Sequence, residues 1–108
     1  MKLDITIRSS DPNVGNEIAK AKIADGITIK QHLILREAIG VSFADFFFII
    51  ENIGIQVAAT LIATYLYDKL KGRKDTNLTI NYKPVEINAE KIGQLIINIE
   101  KEKKDEQN

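Results

Sequence analysis

Between residues 41 and 71 the chain runs without a proline, and from Ile53 to Tyr67 without a formally charged side chain. Ala, Leu and Gln favour helix, so the stretch predicts one helix of roughly 25 residues. Its polar members Asn52, Gln56, Thr60, Thr64 and Asp68 recur at every fourth position. Such a row drifts by about 40° per step and makes only a narrow ridge, leaving most of the circumference apolar. A helix of that kind has to be covered on several sides, by its own sheet, by a partner or by lipid. The rest of the chain is read around that requirement.

Upstream, Leu3, Ile5 and Ile7 alternate with Asp4, Thr6 and Arg8, the pattern of a half-buried strand. Asp11 and Pro12 then predict a helix start, N-cap followed by first helical position, with the helix running to about Asp25 and Gly26 as its stop. Gly15 inside it weakens it. A second strand follows over residues 27–35, with Ile27, Ile29, Leu33 and Leu35 on one face and Thr28, Lys30 and His32 on a wet one. Gln31 interrupts the apolar face and Ile34 departs from the alternation; residues 36–40 read as a connector.

Downstream, Leu78, Ile80 and Tyr82 alternate with polar neighbours, Pro84 breaks the strand, and Val85-Glu86-Ile87 resumes it, which predicts a tight hairpin turning at Lys83-Pro84. Asn88 is placed to cap a last helix whose Ile92, Leu95, Ile96 and Ile99 make one buried stripe. Residues 101–108, nearly all charged or polar, predict a frayed tail. The fold class expected is α+β in the order β-α-β-α-β-β-α. One four-stranded sheet would pack against the long central helix and the C-terminal helix, as a single domain over residues 1–100. Neither flank, at about 35 to 40 residues, has enough core to fold alone.

Composition excludes several function classes. Fifteen basic and fifteen acidic residues cancel, so no overall field draws the chain to nucleic acid. There is no cysteine, hence no thiolate nucleophile, thiolate metal site or disulfide, which fits a cytoplasmic setting. The N-terminal residues are too charged for a signal-peptide core. His32 is the one histidine and lacks metal-site spacing; the glycines form no phosphate-cradling pattern. No catalytic, cofactor or metal residues are therefore assigned. Glu86, Asp45 and His32 fall on separate elements with no spacing that relates them.

Two features remain. Phe46-Phe47-Phe48-Ile49-Ile50, placed on a helix, would point in every direction and leave apolar surface bare. The expected interaction surface is Phe46, Phe47, Phe48, Tyr65 and Leu66, meeting a protein partner or a second copy of the chain. Lys69, Lys71, Arg73 and Lys74 cluster after the helix. They cap its C-terminus or, as the alternative, flank a membrane-associated helix. The clean apolar part, about 15 residues, falls short of the roughly 20 a span requires.

In layout the chain resembles the small effector-associated constant component proteins of bacterial conflict systems. The resemblance rests on the strand Leu3-Asp-Ile-Thr-Ile7, the short helix and second strand, and the Ala-rich segment Val57-Ala-Ala-Thr-Leu-Ile-Ala-Thr-Tyr-Leu66 with its basic end. It extends through Leu78-Thr-Ile-Asn-Tyr82, Val85-Glu-Ile-Asn-Ala89 and the last helix. It implies a non-enzymatic companion of effector proteins, an adaptor or regulator, and supplies no catalytic residues. The Lys83-Pro84 turn is shorter than in such proteins and the phenylalanine run heavier.

Overall fold

A computed structural model describes residues 1–36 and 40–106 of the chain. Residues 37–39 of the expected connector and 107–108 of the expected tail lie outside them. The described residues form five strands and three helices: β1 (Lys2–Ser9), α1 (Val14–Ala19), β2 (Ile27–Arg36), β3 (Ser42–Ile50), α2 (Ile55–Leu70), β4 (Asn77–Ile80), β5 (Lys83–Val85) and α3 (Ala89–Glu106). The strands make one sheet in the order β2-β3-β1-β4-β5, and every neighbouring pair is antiparallel.

The α+β class is as expected, but the single helix over residues 41–71 is not. Its first third is strand β3, and only Ile55–Leu70 is helical. Five bulky residues in a row satisfy no helix face, whereas a strand sorts them onto two faces by alternation. Phe46 and Phe48, at 0% exposure, point inward with Ala44 and Ile50, while Phe43, Asp45, Phe47 and Ile49 point outward and are half-buried. Phe and Ile also favour strand. The punctuation lies at residues 51–54, where Asn52 takes φ 58° and Gly54 stands as the N-cap of α2. The sheet gains a fifth strand as a result.

Connectivity decides which face is covered. β1 and β2 run parallel with β3 between them, and β3 and β4 run parallel with β1 between them. This is a doubled split β-α-β arrangement, with α1 and α2 as the crossovers. Right-handed crossovers that start from opposite strand directions and step in opposite senses deliver both helices to the same face. Leu3, Ile5, Ile7, Phe46, Phe48, Leu78 and Ile80 of that face form one core with Ile18 of α1, Ile62 and Leu66 of α2, and Ile92, Ile96 and Ile99 of α3. Among the described residues no element covers the opposite face.

Local chemistry moves three boundaries. α1 is only six residues, starting after Asn13, whose backbone N–H donates to Asp11 Oδ1 at 2.9 Å. Gly26 therefore ends no helix. It turns the chain into β2 at φ 90°, and a Cβ there would stand 2.7 Å from the Glu51 carbonyl oxygen. The β4–β5 hairpin turns at Asn81-Tyr82 rather than at Lys83-Pro84, with φ 50° and 66°. Pro84 instead lies in β5, an edge strand that tolerates its missing N–H. At α3, Asn88 caps as expected, its Oδ1 accepting from Lys91 N–H at 3.0 Å, and the helix continues to Glu106 rather than fraying after Glu100.

The alternation of β3 has a direct test. Phe46→Ala is expected to cost about 3–5 kcal/mol in denaturant unfolding, and Phe47→Ala under about 1.5 kcal/mol, since it faces outward. Equal losses at the two positions would contradict the inward and outward assignment.

Candidate functional site

The uncovered face of the sheet carries the chain's most concentrated chemistry. β1 contributes Lys2, Asp4, Thr6 and Arg8; β3 contributes Phe43, Asp45, Phe47 and Ile49 opposite them. The pairing of β2 with β3 slips between Gln31 and Leu33, so His32 is an extra residue in a bulge. That slip is the physical content of the two irregularities in the sequence, Gln31 and Ile34. A bulge re-aims the side chain it inserts. Here it brings His32 Nδ1 to 3.1 Å from Asp45 Oδ2, joining two residues that sequence spacing left unrelated. Glu86, the third of that set, is elsewhere and pairs with Lys91 of α3.

Asp45 is held from two sides, since Thr6 Oγ1 donates to its Oδ1 at 3.1 Å. Asp4 stands diagonal to it on β1, level with Phe47 while Asp45 is level with Thr6. Diagonal neighbours in a sheet lie within side-chain reach. Asp4 Oδ1 is buried and has no hydrogen-bond partner among the described residues. Burial first, and then the neighbouring Asp45, hold the Asp4 carboxyl above the ordinary aspartate value of 3.8. Burial pushes Asp45 up as well, but hydrogen bonds with Asp4, His32 and Thr6 outweigh it and hold that carboxyl below 3.8. Crowding thus drives the two carboxyls apart, Asp4 toward its neutral form and Asp45 toward its charged one.

Tyr82 completes the row from the hairpin turn. Asn81 N–H donates to the Asp4 carbonyl at 2.8 Å, and Asp4 N–H donates to Asn81 Oδ1 at 2.7 Å. The clamp keeps Tyr82 next to the β1 end that carries Asp4, and the influence of Asp4 raises the tyrosine pKa. The Tyr82 side chain is otherwise open to solvent, the residue being 85% exposed. A two-residue turn with both φ positive favours Asn-Gly, and tyrosine at its second position is a strained choice.

The flanking aromatics are dressed by polar groups of the same chain. The His32 ring stacks on Phe47 with centroids 5.0 Å apart, and the Lys2 ammonium sits 4.2 Å from the same ring. The Arg8 guanidinium lies 5.6 Å from the Phe43 centroid. These contacts screen apolar surface while leaving the cations within reach of solvent.

The five residues expected to form an interaction surface divide. Phe46, Phe48 and Leu66 are fully buried, so the alternation of β3 and the inward stripe of α2 remove them from any surface. Tyr65 is half-buried on α2, its hydroxyl enclosed without a partner. Phe47 alone lies on the uncovered face. The basic residues after α2 act locally: Arg73 Nε donates to the Lys69 carbonyl at 2.5 Å, and its guanidinium pairs with Asp11 and Glu17. Lys71 pairs with Asp68 at 3.5 Å. The helix-capping role expected of them is met by Arg73. No helix among the described residues is long and apolar enough to cross a membrane.

Two substitutions probe the row. Because the folded chain holds the Asp4 proton more tightly than the unfolded chain, Asp4 costs stability as pH rises above 3.8. Asp4→Asn is expected to raise the melting temperature at neutral pH, with the gain disappearing below 3.8, as followed by circular dichroism across pH. A pH-independent effect would contradict the upward shift of the Asp4 carboxyl. Tyr82→Gly is expected to raise the melting temperature by relieving the turn. A lower value would mean that the contact with Asp4 outweighs the strain.

No family model, curated protein or solved structure matches the chain, so its own residues carry the reading of the site.

Proposed function

We propose that the chain is a small non-enzymatic binding module, an adaptor or regulator, whose recognition surface is the uncovered face of the sheet. The observation that carries this reading is the one-sided architecture. All three helices serve one face, and the other presents Phe43, Phe47 and Ile49 half-buried beside the open Tyr82 ring. Aromatic side chains with polar tips and screened apolar flanks are the usual anchors of protein interfaces. The layout resemblance to effector-associated constant components supports an adaptor role through β1, α1 and β2 and through β4, β5 and α3.

A recognition role suits the His32–Asp45 pair better than catalysis. The His32 side chain is 57% exposed on an open sheet, with no wall to exclude water from a reacting group. The face bears both signs, with Lys2, Arg8 and Lys30 around Asp4 and Asp45, so a protein surface of mixed charge complements it. A second copy of this chain has that character, its own Lys2 and Arg8 lying over the rings with their charge within reach of solvent.

Sedimentation velocity over a wide concentration range tests the self-association. The wild-type chain is expected to dimerise, and Phe47→Glu to remain monomeric at least tenfold higher in concentration with an unchanged circular dichroism spectrum. Dimerisation unaffected by Phe47→Glu would move the interface off the sheet face. A monomeric wild type would remove the second copy as the partner.

A further inference from the structure

We propose that β2 is a docking edge for a second copy of this chain: the two β2 strands pair antiparallel about a twofold axis at Ile29 and join two five-stranded sheets into one. The two edges of the sheet are unequal. β5 is three residues long and carries Pro84, so it offers another strand little to bond. β2 is ten residues long, and among the described residues no strand lies beyond it. A long open edge is a template for a further strand.

Hydrogen bonds at the end of the sheet show which backbone groups of β2 face outward. Ile50 bonds toward β1, its N–H donating to the Met1 carbonyl at 2.8 Å and its carbonyl accepting from the Met1 amino group at 3.0 Å. Glu51 bonds toward β2, its N–H donating to the Gly26 carbonyl at 2.9 Å. Bonding direction alternates along an antiparallel ladder. With Thr28 level with Ile49 and Lys30 level with Phe47, it is therefore Thr28 and Lys30 that bond β3. Ile27, Ile29 and Gln31 turn their backbone groups to the open edge. Ile27 N–H closes the preceding turn on the Ala24 carbonyl at 3.3 Å, which leaves Ile29 and Gln31 as the outward donors.

The pattern of β2 is complementary to itself in one register. An axis at Ile29 sets Ile29 against its own copy, Ile27 against Gln31 of the second copy, and Thr28 against Lys30 of the second copy. Each outward donor then meets an outward carbonyl. Ile29 is half-buried at the rim of the core, level with Phe48, and the pairing covers it with the same apolar side chain. Thr28 and Lys30 are exposed and level with residues of the uncovered face. An axis at Lys30 would place two ammonium groups directly opposite, and an axis at Thr28 would leave Gln31 unpaired, so both are disfavoured. The bulge at His32 ends the ladder after Gln31. Because β5 cannot repeat the contact, edge pairing closes at two copies instead of growing into a ribbon.

Edge pairing goes beyond the face reading and does not depend on it, since its donors and acceptors are main-chain groups. It buries little apolar surface, so it is the weaker contact and needs concentrated chain. The test is therefore made in Phe47→Glu, by NMR-detected amide exchange in dilute and in concentrated solution. The Ile29 and Gln31 amides are expected to slow by about tenfold or more on concentration, while Thr28 and Lys30, already bonded to β3, do not change. Gln31→Pro removes only an outward donor at an exposed position, so the fold is kept and the concentration dependence at Ile29 should vanish. The chain has no cysteine, so Ile29→Cys gives a second reading: it should cross-link to itself under mild oxidation faster than Lys83→Cys on the β5 edge. Ile29 and Gln31 amides whose exchange ignores concentration overturn the edge pairing, as does an Ile29→Cys cross-link no faster than that of Lys83→Cys. A Phe47→Glu chain that dimerises like the wild type defeats the face reading instead, and the same two amides still decide the edge.

Discussion

The alternation of β3 is the constraint on which the rest of the structure depends. β3 lies between β1 and β2 and joins the two strands of the N-terminal β-α-β unit into one sheet. Its inward set, Ala44, Phe46, Phe48 and Ile50, contributes the two largest fully buried side chains of the core. A one-residue slip would turn both phenylalanines to solvent and bring Asp45 into the core, so the register is strongly specified. That same register fixes Asp45 beside Thr6 and Asp4, and through the bulge beside His32. Core and candidate site are thus two faces of one nine-residue strand.

Covering only one face leaves a sheet with a problem that its side chains partly solve. Phe43, Phe47 and Ile49 would together make a bare apolar band, but Arg8, Lys2 and His32 lie over the two rings. Long cationic side chains can shade apolar surface and still keep their charge in water. The arrangement keeps the face wettable in the free chain. It also means that the covering side chains have only a modest hold, since exposed cation–π contacts contribute only about 0.5–1 kcal/mol each.

Much of the fold was legible because the local signals agreed with the tertiary outcome. β1 shows a clean period of two, Asn88 sits one turn ahead of an apolar stripe, and Arg73 follows the last turn of α2; each does what its spacing implies. Residues 46–50 gave no such signal, because a continuous apolar run has no period to read. The absence of proline over residues 41–71 and of charge from Ile53 to Tyr67 then argued for helix, while the β preference of Phe and Ile and the Asn52–Gly54 break argued for strand. The hairpin misled for a different reason: Pro84 looked like the breaker, but the turn formed where Asn81 could adopt a positive φ. Within the site, Gln31 and Ile34 did mark the bulge. Its partner could not be read, since His32 meets Asp45 only through a β2–β3 register that depends on calling β3 a strand.

Asp4 and Tyr82 are each a locally poor choice, and their adjacency is what gives the poor choices meaning. A carboxyl beside another carboxyl loses stability at neutral pH, and a tyrosine at the second position of a tight turn loses it to backbone strain. Scattered over the surface, such features would be the ordinary residue of a sequence only just stable enough to fold. Here one hydrogen-bonded clamp, Asn81 to Asp4, ties them together, and that clamp sits at the end of the β1–β4 ladder, where the pairing could have stopped a residue earlier. Asparagine at this position secures the turn by both of its hydrogen bonds to Asp4. A fold that needed only a turn would be served as well by glycine after Asn81, without the strain.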